Sequence, residues 1–84
     1  MTLLTARKES DGLKFALPLE SLEIEVVFKP HSTHKFHIMA RNLHSAWWGN
    51  ERLLRVCDTA DEVTQVIDEI EHAKQHHIDV DISV

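Results

Sequence analysis

Trp47 and Trp48 stand side by side in a stretch that also carries Arg41, Arg52 and Arg55. These are the residue types that fill the centres of protein interfaces. On a strand, neighbouring side chains point to opposite faces, so at most one of the two tryptophans can enter a core. On a helix they sit ~100° apart, and both cannot be central to one narrow stripe. A second chemistry is open to Lys35, Arg41, Trp47, Trp48 and Arg55, because cations that track phosphates and rings that stack on bases hold single-stranded nucleic acid. The plainer alternative needs no ligand. Glu20, Glu23, Glu25, Asp79 and Asp81 can neutralise these cations across strands, with one tryptophan in the core and the other packed over Arg41 or Arg52.

Charge is unevenly spread. The whole chain carries −5, yet Lys29–Cys57 carries +4 and the remainder −9. An acidic protein has no whole-surface attraction for nucleic acid or anionic lipid, so any such affinity must come from the basic middle third. The segment also holds four of the seven histidines and both tryptophans, which marks it as the place where a functional surface is to be built.

The histidines raise two further possibilities. Glu69, His72 and His76 fall on one helical face, and imidazoles at i, i+4 can share a zinc ion; His31, His34 and His37 lie at a turn. But His72 and His76 are on the solvated side, His34 and His37 point to opposite sheet faces, and no second cysteine completes a zinc spacing. Solvated histidines that complement the helix C-terminus explain them, so no metal or cofactor is expected. Protonating all seven would take the net charge from −5 to +2 around pH ~6.5. Catalytic sets are absent. Cys57 precedes a helix start, where a thiolate is stabilised, but its strand context makes it a buried, inert thiol. Ser32, Ser45 and Ser83 lack the glycines of a nucleophile elbow, and the only glycines, Gly12 and Gly49, cannot form a phosphate cradle.

The elements that must position these residues follow from periodicity. Val63, Val66, Ile67, Ile70 and Ala73 recur at helical spacing, which predicts a helix over Thr59–His77 with one apolar stripe. Thr59 and Glu62 have capping-box spacing. Thr2–Lys8 and Leu13–Leu19 read as strands joined by the Ser10-Asp11-Gly12 turn, with Pro18 forcing an end, a bend or an edge. Leu22–Lys29 alternates most cleanly, with Leu22, Ile24, Val26 and Phe28 on one face. After the Pro30–Thr33 turn, His34–Leu43 alternates again, with Phe36, Ile38 and Ala40 inward. Asn42–Trp48 reads as either strand or short helix. Arg52–Cys57 is a short strand leading into the helix cap, and Ile78–Val84 a final strand.

These 84 residues support one core. The expected fold is a single α+β domain of two layers: a mixed, mostly antiparallel sheet of five or six strands with one long helix on one face, closing in a C-terminal β-α-β unit with parallel strands and a right-handed crossover. One helix is a narrow cover for so many strands, so the sheet must curl or be partly covered by another chain. A lone cysteine and no apolar run of ~20 residues point to a cytoplasmic protein that does not enter a membrane. The reading is a small non-catalytic protein-interaction module, a homodimer or a partner of another protein, with Trp47, Trp48, Arg41, Arg52 and Arg55 at the contact. Single-stranded nucleic-acid binding is the alternative.

Overall fold

Thr59 starts the element that covers the core. In a computed structural model, which describes residues 1–42 and 51–83, its Oγ1 accepts from the Glu62 amide at 3.2 Å, and Glu62 Oε2 accepts from the Asp58 amide at 3.3 Å. The box thus closes on Asp58 rather than on Thr59 itself. Helix α1 runs Ala60–His76. It ends in a Schellman arrangement: the Ile78 amide donates to Ala73 O at 3.1 Å and the His77 amide to Lys74 O at 3.4 Å. His77 takes the left-handed conformation, φ 54°, that usually falls to glycine. The expected stripe is the buried one: Val66, Ile70 and Ala73 are inside, with Val63 and Ile67 packed against the core.

The strands are β1 (Leu3–Arg7), β2 (Lys14–Pro18), β3 (Leu22–Phe28), β4 (Phe36–Asn42), β5 (Arg52–Cys57) and β6 (Val80–Asp81). Strands β1 and β2 pair antiparallel around the Asp11-Gly12 turn. There Gly12 adopts φ 72°, its amide donates to Lys8 O at 2.9 Å, and Asp11 Oδ1 accepts from the Leu13 amide at 3.0 Å. Pro18 ends β2, and a single 3₁₀ turn, Leu19–Ser21, leads into β3. Strands β3, β4 and β5 form an antiparallel meander.

The expected single sheet is two sheets. The orders are β2-β1-β6 and β3-β4-β5 among the described residues. The fold is α+β as expected, but the C-terminal β-α-β unit is not formed as read. Strand β6 has two residues and runs parallel to β1, not in a sheet with β5. Alternation assigns a strand's faces but not the edge it will join. The edge of β1 competes for this segment with three specific bonds: Ile82 N to Thr5 O at 2.8 Å, Leu3 N to Asp79 Oδ1 at 2.8 Å and Arg7 Nε to Ser83 O at 3.0 Å.

One connected core joins both sheets and the helix. Leu4 and Ala6 of β1, Leu17 of β2, Leu22 of β3, Ile38 and Ala40 of β4, and Leu54 and Cys57 of β5 meet Ile70, Ala73 and Ile82 there. At ~1.5–3 kcal/mol for each fully buried large side chain, this cluster is what holds the sheets together. Coverage fails at one corner. Along the inward face of β3, Leu22 is 2% exposed but Val26 is 40% and Phe28 58% exposed. Phe28 is left with the ring of Phe36, 5.3 Å away between centroids. No described helix is long and apolar enough to cross a membrane.

Candidate functional site

Trp47 and Trp48, and with them the strand-or-helix question over Asn42–Trp48, lie outside the described residues, apart from Asn42, whose backbone ends β4. The three arginines do not share a surface. Ala40 faces Arg52 and Ile38 faces Arg55 in the β4–β5 ladder, so Arg52 and Arg55 stand on the face of the sheet that holds the core. Arg41, one residue on from Ala40, stands on the other.

Each arginine has a different environment. Arg41 is exposed, and its Nη2 lies 3.4 Å from both Glu25 Oε2 and Glu51 Oε1. That is cross-strand neutralisation, expected for Glu25 and found. Arg52 is half-buried, with its Cζ 5.3 Å from the centroid of the Phe15 ring on β2, a cation–π contact that ties the second sheet to the first. Arg55 lines a cleft of about 360 Å³ with Arg7 at the end of β1, with Lys8 and Glu9 of the β1–β2 turn and with Ser83. A bulge helps to set this geometry: the pairing shifts between Ile38 and Met39, so Leu54 is the extra residue of β5.

The cleft is basic, but part of its charge is committed to the fold. Arg7 Nε donates to Ser83 O at 3.0 Å and Nη1 to Gly12 O at 2.6 Å. Ser83 is held in turn, because its amide and hydroxyl both donate to Asp81 Oδ1. These two bonds from Ser83, more than the Lys14 ammonium 3.6 Å away, hold the Asp81 carboxyl below its ordinary range. No aromatic ring lines the cleft among the described residues, so it lacks the stacking platform that single-stranded nucleic acid uses. Sequence reasoning missed this cleft because Arg7 and Lys8 lie far from Arg55 in the chain.

The other candidate groups go into structure. His34 Nδ1 meets Asp58 Oδ1 at 2.8 Å, and His37 Nε2 donates to His34 O at 3.1 Å. The rings of His72 and His76 lie tilted to each other by 46°, with centroids 4.4 Å apart on the helix. No three His, Cys, Asp or Glu side chains converge as a metal site among the described residues. Cys57 is 1% exposed, and burial pushes its thiol above the ordinary value, which keeps it from reacting as a thiolate.

What the sequence did not mark as a site is the free side of β3. Lys29 N donates to Lys35 O at 2.7 Å. In an antiparallel ladder this makes Glu23, Glu25 and Val27 the residues bonded to β4, while Leu22, Ile24, Val26 and Phe28 aim their amides and carbonyls outward. The outward groups of Leu22 are occupied: its amide donates to Leu19 O, and its carbonyl accepts from Lys74 Nζ at 2.8 Å. From Ile24 onward no main-chain partner exists among the described residues. The apolar corner of Val26 and Phe28 and the open main chain therefore coincide. No protein family, no curated protein and no solved structure matches the chain.

Proposed function

We propose that this chain is a non-catalytic protein-interaction module that takes a partner's extended segment as an additional strand on β3. One observation carries the reading: among the described residues the outward amides and carbonyls of Ile24, Val26 and Phe28 have no main-chain partner, where Val26 and Phe28 are 40% and 58% exposed. Strand addition uses these two resources together, main-chain bonds for affinity and alternate side chains for specificity. Arg41, one strand in from the edge, stands beside Glu25 on the face opposite Val26 and Phe28, and Arg52 and Arg55 lie on β5, two strands from the edge. Trp47 and Trp48 stay part of the proposed contact on residue type alone.

Selection from a displayed library of random peptides tests the reading. Peptides that protect the Ile24, Val26 and Phe28 amides from hydrogen exchange are expected, and Val26→Pro should abolish their binding. That substitution removes only an outward N–H, so the β3–β4 ladder keeps its bonds. Binders that map instead to the Arg7–Arg55 cleft, or the absence of any binder, would overturn it.

A further inference from the structure

Open edges are hazardous, and the other strand edges among the described residues are blunted. Strand β2 ends on Pro18, β6 has two residues, and β5 is interrupted by its bulge. Short edges, prolines and bulges are the devices that prevent unwanted pairing. Strand β3 has none of them over seven regular residues; its only stop is Lys29-Pro30 at the far end.

We infer that the strand received by β3 is β3 of a second copy of this chain, paired antiparallel about a two-fold axis through Val26. This rests on the strand-addition reading above and names its partner. Identical strands related by a two-fold axis must pair antiparallel, and only registers that set outward-pointing residues opposite one another can form the bonds. Any residue of the strand is such a centre, but Leu22 has its outward groups occupied, a two-fold at Glu23 opposes that carboxylate to its own copy, and one at Phe28 brings Pro30 opposite Val26; Ile24, Glu25, Val26 and Val27 remain. Those on Val26 and Ile24 set an outward residue opposite itself, and those on Glu25 and Val27 set a ladder-bonded residue opposite itself with outward residues flanking it.

Charge and proline then decide among the centres. A two-fold at Ile24 opposes Glu23 to Glu25 twice, and one at Glu25 opposes that carboxylate to its own copy, repulsions that destabilise an antiparallel pair. A two-fold at Val27 brings Pro30, which has no N–H to donate, opposite Ile24. The two-fold at Val26 opposes no carboxylates, and it sets Pro30 only against Leu22, whose outward amide and carbonyl are already occupied. It sets Glu23 opposite Lys29 twice, Ile24 opposite Phe28 twice and Val26 opposite Val26. The two ion pairs lie at the ends of the ladder, and the apolar residues form one strip across the axis on the core side. The side chains so covered, Val26 and Phe28, are the ones the helix leaves exposed. The result is a continuous sheet in the order β5-β4-β3-β3-β4-β5, with the neutral match supplied by the same strand that supplies the edge.

Light scattering over a wide concentration range, together with charge exchange, tests the pairing. The unaltered chain should pass from monomer to dimer with concentration. Glu23→Lys and Lys29→Glu should each weaken the dimer on the order of tenfold, since each turns two opposite-charge pairs into like-charge ones. The combined Glu23→Lys/Lys29→Glu chain should recover the affinity, with far-ultraviolet circular dichroism checking that every variant is folded. In a Cys57→Ala background, Val26→Cys should oxidise to a covalent dimer. Its Cα atoms would lie ~5.5 Å apart across a bonded pair, inside the disulfide range. Glu25→Cys should not, because this register separates its two copies by roughly 8 Å. A chain that stays monomeric throughout, or a dimer indifferent to both reversals and cross-linked through Glu25→Cys, overturns the inference. Peptides that still bind β3 on a strict monomer would leave the interaction reading standing while the self-pairing falls.

Discussion

Strands β1 and β3 alternate apolar and polar residues in the same way, yet they end in opposite conditions. In β1, Leu4 and Ala6 are fully buried, and both edges are taken, by β2 and by β6. In β3, burial decays along the strand from Leu22 to Phe28, and one edge has no partner strand among the described residues. Alternation states which way a side chain points; it does not state whether anything lies there to cover it. The decay runs away from helix α1: its buried residues Val66, Ile70 and Ala73 share the core with Leu22, and Lys74 reaches the strand at that same end.

Truncating one residue of each strand gives the largest test of this contrast. Leu4→Ala should cost ~2–5 kcal/mol, as buried leucines do, while Phe28→Ala should cost less than about 1.5 kcal/mol because most of its ring already meets water. Urea unfolding at concentrations low enough to keep the chain monomeric measures both. Equal losses would mean that the corner is covered in solution.

The two sheets can also be compared through their arginines, with a smaller effect. Arg52→Ala removes the contact with Phe15 that spans the sheets and should cost about 1 kcal/mol. Arg41→Ala removes exposed pairs and should stay within about 0.5 kcal/mol. The same unfolding measurement ranks them, and a larger loss at Arg41 would reverse the assignment.

Acid offers the smallest and most local probe. Glu20 accepts from both the hydroxyl and the amide of Thr2, and these bonds hold its carboxyl down to about 2, from an ordinary 4.5. A carboxyl depressed in the folded state contributes stability that is complete above its unfolded value and fades as protons bind. The contribution is therefore present above pH 4.5 and lost progressively toward pH 2. Glu20→Gln should flatten that part of the pH–stability curve. An unchanged slope would show that the Thr2–Glu20 anchor of β1 does not form in solution.

Much of this architecture was legible because it depends on local pattern. The Thr59 cap, the Val66–Ile70–Ala73 stripe, the Asp11-Gly12 turn and the inward set of Phe36, Ile38 and Ala40 each follow from spacing alone. The division into two sheets did not, since it turns on which edge Val80-Asp81 meets, a choice made by bonds between residues 76 positions apart. The arginine group was read along the chain, whereas the β4–β5 register sends Arg41 to one face and Arg52 and Arg55 to the other. The β3 edge was hidden for a related reason: its strand was the cleanest in the sequence, and nothing in an alternating pattern records that no described strand pairs with it on one side.

The pairing of β1 with β6 has a consequence for how the chain comes into being. Synthesis proceeds from the first residues, at ~5–20 residues per second, so β1 and β2 can form their hairpin early while the strand that completes their sheet does not yet exist. Closing that gap joins positions at opposite ends of the sequence, the kind of distant contact that slows folding. Until Asp79–Ser83 leave the ribosome, β1 therefore carries a temporary open edge of its own. During that interval β1 is itself an edge that a neighbour could pair with, and the finished fold closes it with β6.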